Sequence, residues 1–386
     1  LKKSFYEFFA GIGLVHLGLR PGGWACLWAN DIDEAKNEIY ELNFPNQSFS
    51  LKDIWKVRSS ELPGNAFLAT ASFPCTDLSV AGARKGLQGE QSGTFYAFSK
   101  ILRGLKRTKR IPPLVMVENV VGLLTANDGK DVEIVLSELA SLGYMLDLIE
   151  LNAIHFIPQS RPRVFIFGAK KEMSLSIMIP KDDRTALSRW KAIIDGQSAI
   201  RTNNVLTTIE RNRSLPWAAF SLPPLSKRHN NINEIMEDIP NSSELWWPKE
   251  KKEKTYSQMS KRNIEKLRQM MNSEKYSYGT IYRRIRAEGS MAELRNDGVS
   301  GCLRTPRGGS SKQIVLKAGQ GEYFVRWMTP REYARLQGVP DSYNLPNDIN
   351  KSIFGLGDAV CVPAISWIDE NILSPCYKTW TSLNNK

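Results

Sequence analysis

Cys75 is the side chain in this sequence best suited to act as a nucleophile. It stands in SFPCTDLSVAG, residues 72–82, directly after Pro74 and just past the apolar run Ala66–Ser72. A thiolate on a loop at the end of a strand can add to an electrophilic carbon. A lone cysteine is otherwise a small buried spacer, so its neighbours must decide. Glu118 opens the ENV run directly after apolar LVMV. A carboxylate there is costly to desolvate, and must be paired, hydrogen-bonded or protonated. It reads either as a helix cap or as an acid that protonates or hydrogen-bonds a substrate ring. In IPQSRPRVF, Pro158 and Pro162 stiffen a segment presenting Gln159, Arg161 and Arg163. Alternate residues of an extended chain face the same way. The two arginines are therefore expected to face a common anionic or carbonyl-bearing group, or else to be surface charges.

A fourth element, FFAGIG at Phe8–Gly13, is a strand running into a glycine turn and then the helical pattern LVHLGL. Glycines let the backbone approach a nucleotide-like ligand closely, and an acid at the end of the next strand can hold ribose hydroxyls. Asp31, twenty residues after Gly11, is at that place. GIG falls short of the full dinucleotide fingerprint, so NAD and FAD are not indicated.

Residues 1–180 have the order that would carry these groups to one edge. Strands are expected at Ser4–Phe9, Trp24–Ala29, Ala66–Ser72, Leu114–Glu118, Met145–Leu151 and Val164–Gly168. Helical spacing appears at Ala35–Asn43, Phe95–Lys106 and Val132–Leu142. This alternation predicts an α/β fold, a doubly wound and mostly parallel sheet that binds ligands where its strands end. A chain of 386 residues also leaves room for a second domain.

From 181 to 305 the alternation fades, and a smaller domain is expected. Its later part is rich in cations, among them Lys249, Lys251, Lys252, Lys254, Arg283, Arg284 and Arg286, interleaved with Trp246, Trp247, Tyr256, Tyr276 and Tyr282. Such a run is either a solvated face or a surface for phosphates and bases. The chain as a whole has 52 Lys and Arg against 40 Asp and Glu, a net charge of +12, which points to a polyanionic partner. The five cysteines lack metal-ligand spacing, so no metal is expected, and their number fits a reducing compartment. With no signal pattern and no unbroken apolar run of spanning length, a cytoplasmic protein is expected.

Residues 306–386 return to order. Thr329 as N-cap, Pro330 and Glu332 predict a short capped helix that stops at Gly338. Phe354–Ile372 reads as a glycine turn entering a final apolar helix that returns to the first domain.

FAGIG, FPCTDLS, ENV, QSRPR and TPREYARLQGVPDSY, in this order, resemble five motifs of the cytosine-5 DNA methyltransferase family. The resemblance covers about 1–170 and 300–375. It implies the S-adenosylmethionine-dependent methyltransferase fold with a DNA target-recognition domain in the middle. It also implies transfer of a methyl group from S-adenosyl-L-methionine to carbon 5 of a flipped-out cytosine in double-stranded DNA. The resemblance makes Cys75 the covalent nucleophile and Glu118 the acid at ring nitrogen 3. Arg163 would contact the cytosine carbonyl, and Arg161 and Gln159 would order the loop, with Ser79 and Asn119 on the substrate side. For the cofactor it implies Phe9 and Ile32 on the two adenine faces, Asp31 on the ribose and Asp53 on the adenine amino group, with Ala10, Gly11, Gly13, Pro74, Asp358 and Ala359 completing the site. The glycine- and alanine-rich stretch from Ser79 to Gly93 suits a lid or a merely flexible loop.

The sequence departs from the family in GLGDAV, where Asp358 replaces the usual Asn and exchanges two donors for a charge. Glu7 stands where Asp is commoner. The expected setting is a bacterial or phage restriction–modification system in the cytoplasm, with a working monomer and a cognate endonuclease acting independently. The alternatives are a tRNA methyltransferase and a catalytically silent DNA-binding member of the family.

Overall fold

A computed structural model of the chain describes residues 1–74, 93–180, 187–226, 231–286, 289–306 and 312–384. Two compact units are present. The first comprises 1–152, 162–225 and 364–386; the second comprises 153–161 and 226–363. Against the expected boundaries at 180 and 305, the first unit runs further, to Leu225.

The first unit is built on a seven-stranded sheet with strand order 3-2-1-4-5-7-6. The strands are β1 (Ser4–Phe8), β2 (Ala25–Asp31), β3 (Phe49–Leu51), β4 (Leu68–Ala71), β5 (Leu114–Val120), β6 (Tyr144–Asn152) and β7 (Pro162–Lys170). β1 to β5 run parallel, and β7 is antiparallel to both β5 and β6. This is the α/β architecture read from the sequence, with β3 added. Three residues are too few to show an alternating pattern.

Every residue of β1 and of β4 is buried. Burial on both faces explains why these strands read as nearly continuous apolar runs. The connecting helices are α1 (Leu14–Leu19), α2 (Glu34–Asn43), α3 (Thr94–Arg107) and α4 (Lys130–Ser141). α3 and α4 contribute Phe95, Phe98, Leu102, Val135 and Leu139 to the main core beside Phe8, Val115 and Ile166.

After β7, the first unit adds α5 (Lys171–Ile177), a short ribbon of β8 (Met178–Pro180) and β9 (Ala218–Phe220), and helices α6 (Leu187–Gly196) and α7 (Asn203–Arg211). Arg201 explains why this stretch joins the first unit. Its guanidinium, wholly buried, holds the Asp147 carboxylate of β6 at 2.5 and 2.8 Å, and Asp147 also accepts from the Phe220 amide at 3.0 Å. Long-range ion pairs of this kind have no local sequence signature.

The second unit contains α8 (Lys249–Ser257), α9 (Lys261–Met271) and a four-stranded antiparallel sheet of order 11-10-12-13. Its strands are β10 (Ser277–Arg286), β11 (Gly289–Arg295), β12 (Ile314–Gly319) and β13 (Glu322–Trp327). Ile281, Leu294, Leu316 and Val325 form its core with Leu267 and Met270 of α9.

α10 (Pro330–Arg335) starts at Thr329 with the expected capping box, and Gly338 has φ +72°. Glu332 does more than cap. It is buried, forms a two-pronged pair with Arg326 at 2.7 and 2.5 Å and accepts from the Glu237 amide.

α11 (Ile349–Asp358) corrects the reading of Phe354–Ile372 as opening on a glycine-containing turn. Asp348 caps the helix at 2.8 Å to the Asn350 amide, and glycine is admitted in its last turn by packing. A Cβ on Gly357 would stand 2.6 Å from the Arg304 and Thr305 backbone. The chain then breaks at 359–361 and continues through α12 (Val362–Ile368), a π turn at Asp369–Leu373 and α13 (Ser374–Asn384). Residues 349–384 contain an apolar window long enough for a bilayer, but 67% of it is buried within the protein. In the first unit, Tyr377 and Trp380 of α13 pack on Phe67.

Candidate active site

The first unit carries a carboxylate-lined turn at one end of its parallel strands. β1 ends at Phe8, and Phe9 takes φ +56°, a left-handed conformation rare for a bulky residue. This turns its ring out of the strand line, where it is half-buried. Gly11 and Gly13 follow with φ +56° and +81°. At Gly13 a Cβ would meet the rings of Phe44 and Tyr40 at 2.6 and 2.8 Å, so only glycine fits. At Gly11 the same position is open. One glycine is needed for packing inward and the other leaves the backbone approachable from outside.

Asp31, at the end of β2 and 9% exposed, fixes this turn. It accepts from the Gly11 amide at 2.8 Å, the Ile32 amide at 2.8 Å and the Asp33 amide at 3.0 Å. A carboxylate has about four lone-pair positions, so acceptor capacity remains. Ile32 is 68% exposed beside it, an apolar side chain left uncovered. Asp53 caps the next turn, accepting from the Trp55 amide at 3.0 Å. A carboxylate with acceptor capacity left, the exposed Ile32, the half-buried Phe9 and an open glycine backbone fit an adenosine-containing cofactor.

Glu7 explains how this turn is supported from beneath. Gly13 has no side chain to cap α1, and the Glu7 carboxylate instead accepts from the His16 amide at 3.2 Å. Burial pushes the Glu7 carboxyl up to about 8, and burial likewise brings the neighbouring His16 down to about 4. The Tyr40 hydroxyl joins the group, 2.9 Å from His16 Nδ1, 3.2 Å from Glu7 Oε2 and 3.8 Å from Cys26 Sγ. Glu7, His16 and Cys26 have the donor types of a metal site. The tyrosine hydroxyl stands among all three and makes the contacts an ion would make. Reading the sequence missed this network; an acid inside an apolar strand was its only signal.

The second constellation of the first unit lies where β4, β5 and β7 meet. Ala71 is the register partner of Val117, which brings the chain leaving β4 beside the end of β5. Glu118, 7% exposed, faces Arg163 of β7, whose Nε lies 3.2 Å from its Oε1. Val120 is paired with Arg163, so the Glu118 and Arg163 side chains share one face diagonally across the strands. Here the buried carboxylate has the counter-charge its position demands. Asn119 donates to the Phe73 carbonyl at 3.1 Å and accepts from the Val120 amide at 2.9 Å. It thereby ties the end of β5 to the segment that Pro74 ends. Cys75, Ser79 and the lid stretch up to Ser92 lie outside the described residues.

The second unit holds the remaining expected residues. Arg161 is 2% exposed and donates to the carbonyls of Leu303 at 2.8 Å, Asp358 at 3.2 Å and Ala359 at 2.6 Å. Gln159 accepts from the Leu303 amide at 2.9 Å and donates to the Leu336 carbonyl. Gln337 donates to the carbonyls of Leu356 at 2.8 Å and Ala359 at 3.1 Å. Arg161 and Gln337 together satisfy open carbonyls at the end of α11, where Asp358 takes a hydrogen bond from Thr305. The expectation of two arginines facing one target is thus corrected. Arg161 serves backbone carbonyls, whereas Arg163 serves Glu118.

A sequence model of the family described as C-5 cytosine-specific DNA methylase matches residues 3–374. The Type II methyltransferase M.BanI of Aneurinibacillus aneurinilyticus is 26% identical over 96% of this chain and 96% of its own. M.HpaII of Haemophilus parainfluenzae is 24% identical over 96% of this chain and 89% of its own. M.BsuFI of Bacillus subtilis is 30% identical over 177 residues, 46% of this chain and 41% of that protein. Among solved structures, the Entamoeba histolytica methyltransferase EhMeth superposes with a TM-score of 0.61 at 14% identity, covering 97% of this chain and 98% of that one. The S. pombe Dnmt2 methyltransferase gives 0.56 at 17%, covering 97% and 99%. These two likenesses are of fold. With the match to the family running from Lys3 to Ser374, the chain belongs to the C-5 cytosine-specific DNA methylase family.

Proposed function

We propose that this enzyme methylates carbon 5 of a cytosine within a specific duplex sequence, with Cys75 as nucleophile, in a bacterial restriction–modification setting. The observation that carries the reading is the buried Glu118–Arg163 pair beside the strand that leads to Cys75. Carbon 5 of cytosine is a weak nucleophile. Addition of the Cys75 thiolate to carbon 6 breaks the ring's aromaticity, while the Glu118 carboxyl hydrogen-bonds ring nitrogen 3 and stabilises the electron density reaching it. Arg163 holds Glu118 in place and offers a donor to the ring carbonyl. Once carbon 5 is substituted, loss of its proton and expulsion of Cys75 restore the aromatic ring. The base has to leave the duplex stack for the thiolate to reach its face, at a cost of a few kcal/mol.

S-adenosyl-L-methionine, when bound, supplies the electrophilic methyl group. Phe9, Ile32, Asp31 and Asp53 would hold its nucleoside, with the Gly11 backbone open to it. Ala10 and Pro74 flank the same turn and strand end. Arg161, Gln159 and Asn119 would act as positioning residues, and by the resemblance Asp358 and Ala359 would contact the cofactor. The enzyme would act as a monomer in the cytoplasm, with an independent endonuclease of the same specificity.

Incubation with radiolabelled cofactor and mixed-sequence duplex DNA should yield 5-methylcytosine, and Cys75→Ser should abolish it while leaving DNA binding. Cofactor binding without any 5-methylcytosine in DNA would overturn the proposal, as would preferential labelling of tRNA in competition.

A further inference from the structure

We infer that Lys251 of α8 and Arg283 of β10 form a binding site for a backbone phosphate of DNA, held on a platform of Trp247 and Trp327. The inference rests on the DNA reading above and goes beyond it by naming a contact outside the catalytic centre.

The platform is well defined. Trp247 and Trp327 pack edge to face with centroids 4.9 Å apart at 74°. Lys251 Nζ lies 4.0 Å from the Trp247 centroid and 5.1 Å from that of Trp327. Arg283 Cζ lies 5.6 Å from the Trp327 centroid. Arg283 is two residues from Ile281 on the same strand, so both side chains emerge on the face that packs into the core of this unit. Neither cation is a freely swinging surface charge; both are half-buried.

Two like charges are brought to one aromatic pair, and the platform does not neutralise them. Ring faces attract cations through their quadrupole but carry no net charge. Some other cations of this unit have carboxylates: Lys249 is 3.9 Å from Glu253, Arg268 is 4.0 Å from Glu265 and Arg295 is 2.7 Å from Asp297. Among the described residues no carboxylate pairs with Lys251 or Arg283, and Arg283 Nε is buried without a hydrogen-bond partner. Burial, followed by the charge of Arg283, lowers the Lys251 ammonium from its ordinary value, as expected where an anion is wanted.

A phosphodiester oxygen meets these requirements. It carries a full charge, and it accepts from a guanidinium and an ammonium together. Phosphate contacts of this type set the register of a duplex without reading its sequence.

The test is the salt dependence of DNA binding by the full chain. Dissociation constants would be measured over a salt series for a duplex that the enzyme methylates and for one that it does not. In Lys251→Gln, and separately in Arg283→Gln, both duplexes should bind more weakly by the same factor. The slope of log K against log salt should fall by about one in each variant. Arg283→Lys should keep most of the slope, which separates loss of charge from loss of fold, and Lys249→Gln serves as the paired-cation control. An unchanged slope in Lys251→Gln, or a loss confined to the methylated sequence, would overturn the inference while the wild-type enzyme still binds and methylates DNA. Failure of the wild-type enzyme to bind DNA at all would instead overturn the reading on which it rests.

Discussion

Glu118 in the first unit and Lys251 in the second are both ionisable side chains set among apolar neighbours, and the protein treats them in opposite ways. Glu118 lies on buried β5 beside the antiparallel β7 and meets a guanidinium at 3.2 Å. Lys251 lies over two indole rings and faces another cation. A charge whose partner is built in is prepared to act on a neutral ring brought to it. A charge left with aromatic company alone is prepared to receive an anion. On the roles proposed above, the division would correspond to two tasks, chemistry on one base and attachment to a polyanion.

The comparison can be broken first at Glu118. Glu118→Gln keeps the shape but removes the acid, and kcat for methylation should fall by about 10²–10⁴-fold. DNA binding measured without turnover should remain within about threefold, since phosphate contacts dominate it. A variant that lost DNA binding in step with rate would show that the two tasks are not divided in this way.

A second break falls on structural charges. Arg201→Ala leaves Asp147 buried without its counter-ion and should cost about 3–5 kcal/mol of stability. It should be read as a lower midpoint in chemical denaturation. A cost within error would mean that residues 187–225 are loosely attached to β6.

The smallest expected effect concerns Glu7. Its carboxyl is raised to about 8, so between about pH 4.5 and 8 the folded protein holds a proton that the unfolded chain has released. Stability from this group therefore falls as pH rises through that window. His16, lowered to about 4, has the opposite sign between about pH 4 and 6.5, where the unfolded chain binds the extra proton. Only above about pH 6.5 is the Glu7 effect seen alone. Asp31, Tyr40 and Cys26 face the same carboxyl, and Arg20 faces His16. The thermal midpoint of the wild type should decline between pH 6.5 and 8, and that of Glu7→Gln should be flatter. Parallel curves would show that Glu7 is not the group titrating.

The first sheet was legible because its signals are local. Apolar strands, glycine turns and helix caps each occupy a few consecutive residues, and Thr329 with Glu332 predicted α10 to the residue at its start. Asp31 and Glu118 were legible because strand order brings strand ends to one edge. What escaped depends on partners distant in sequence. Arg161 and Arg163 look equivalent two residues apart, yet one meets Leu303 and Ala359 and the other meets Glu118. The Gly355–Gly357 stretch suggested a turn because glycine disfavours helices. The close approach of the Arg304–Thr305 backbone, which rewards glycine there, has no local signature. In the second unit the cations and aromatics were visible as a composition, but their pairing into platforms required the antiparallel register of β10 to β13.

The central claim, that Cys75 attacks carbon 6 of a cytosine, is tested most directly by trapping. Duplex DNA with 5-fluorocytosine at the methylation site cannot lose the substituent at carbon 5, so the enzyme should remain attached. Intact mass spectrometry with added cofactor should show a one-to-one protein–DNA adduct, with the crosslinked peptide containing Cys75. A crosslink at another residue, or turnover on normal DNA with no adduct on the fluorinated one, would contradict it.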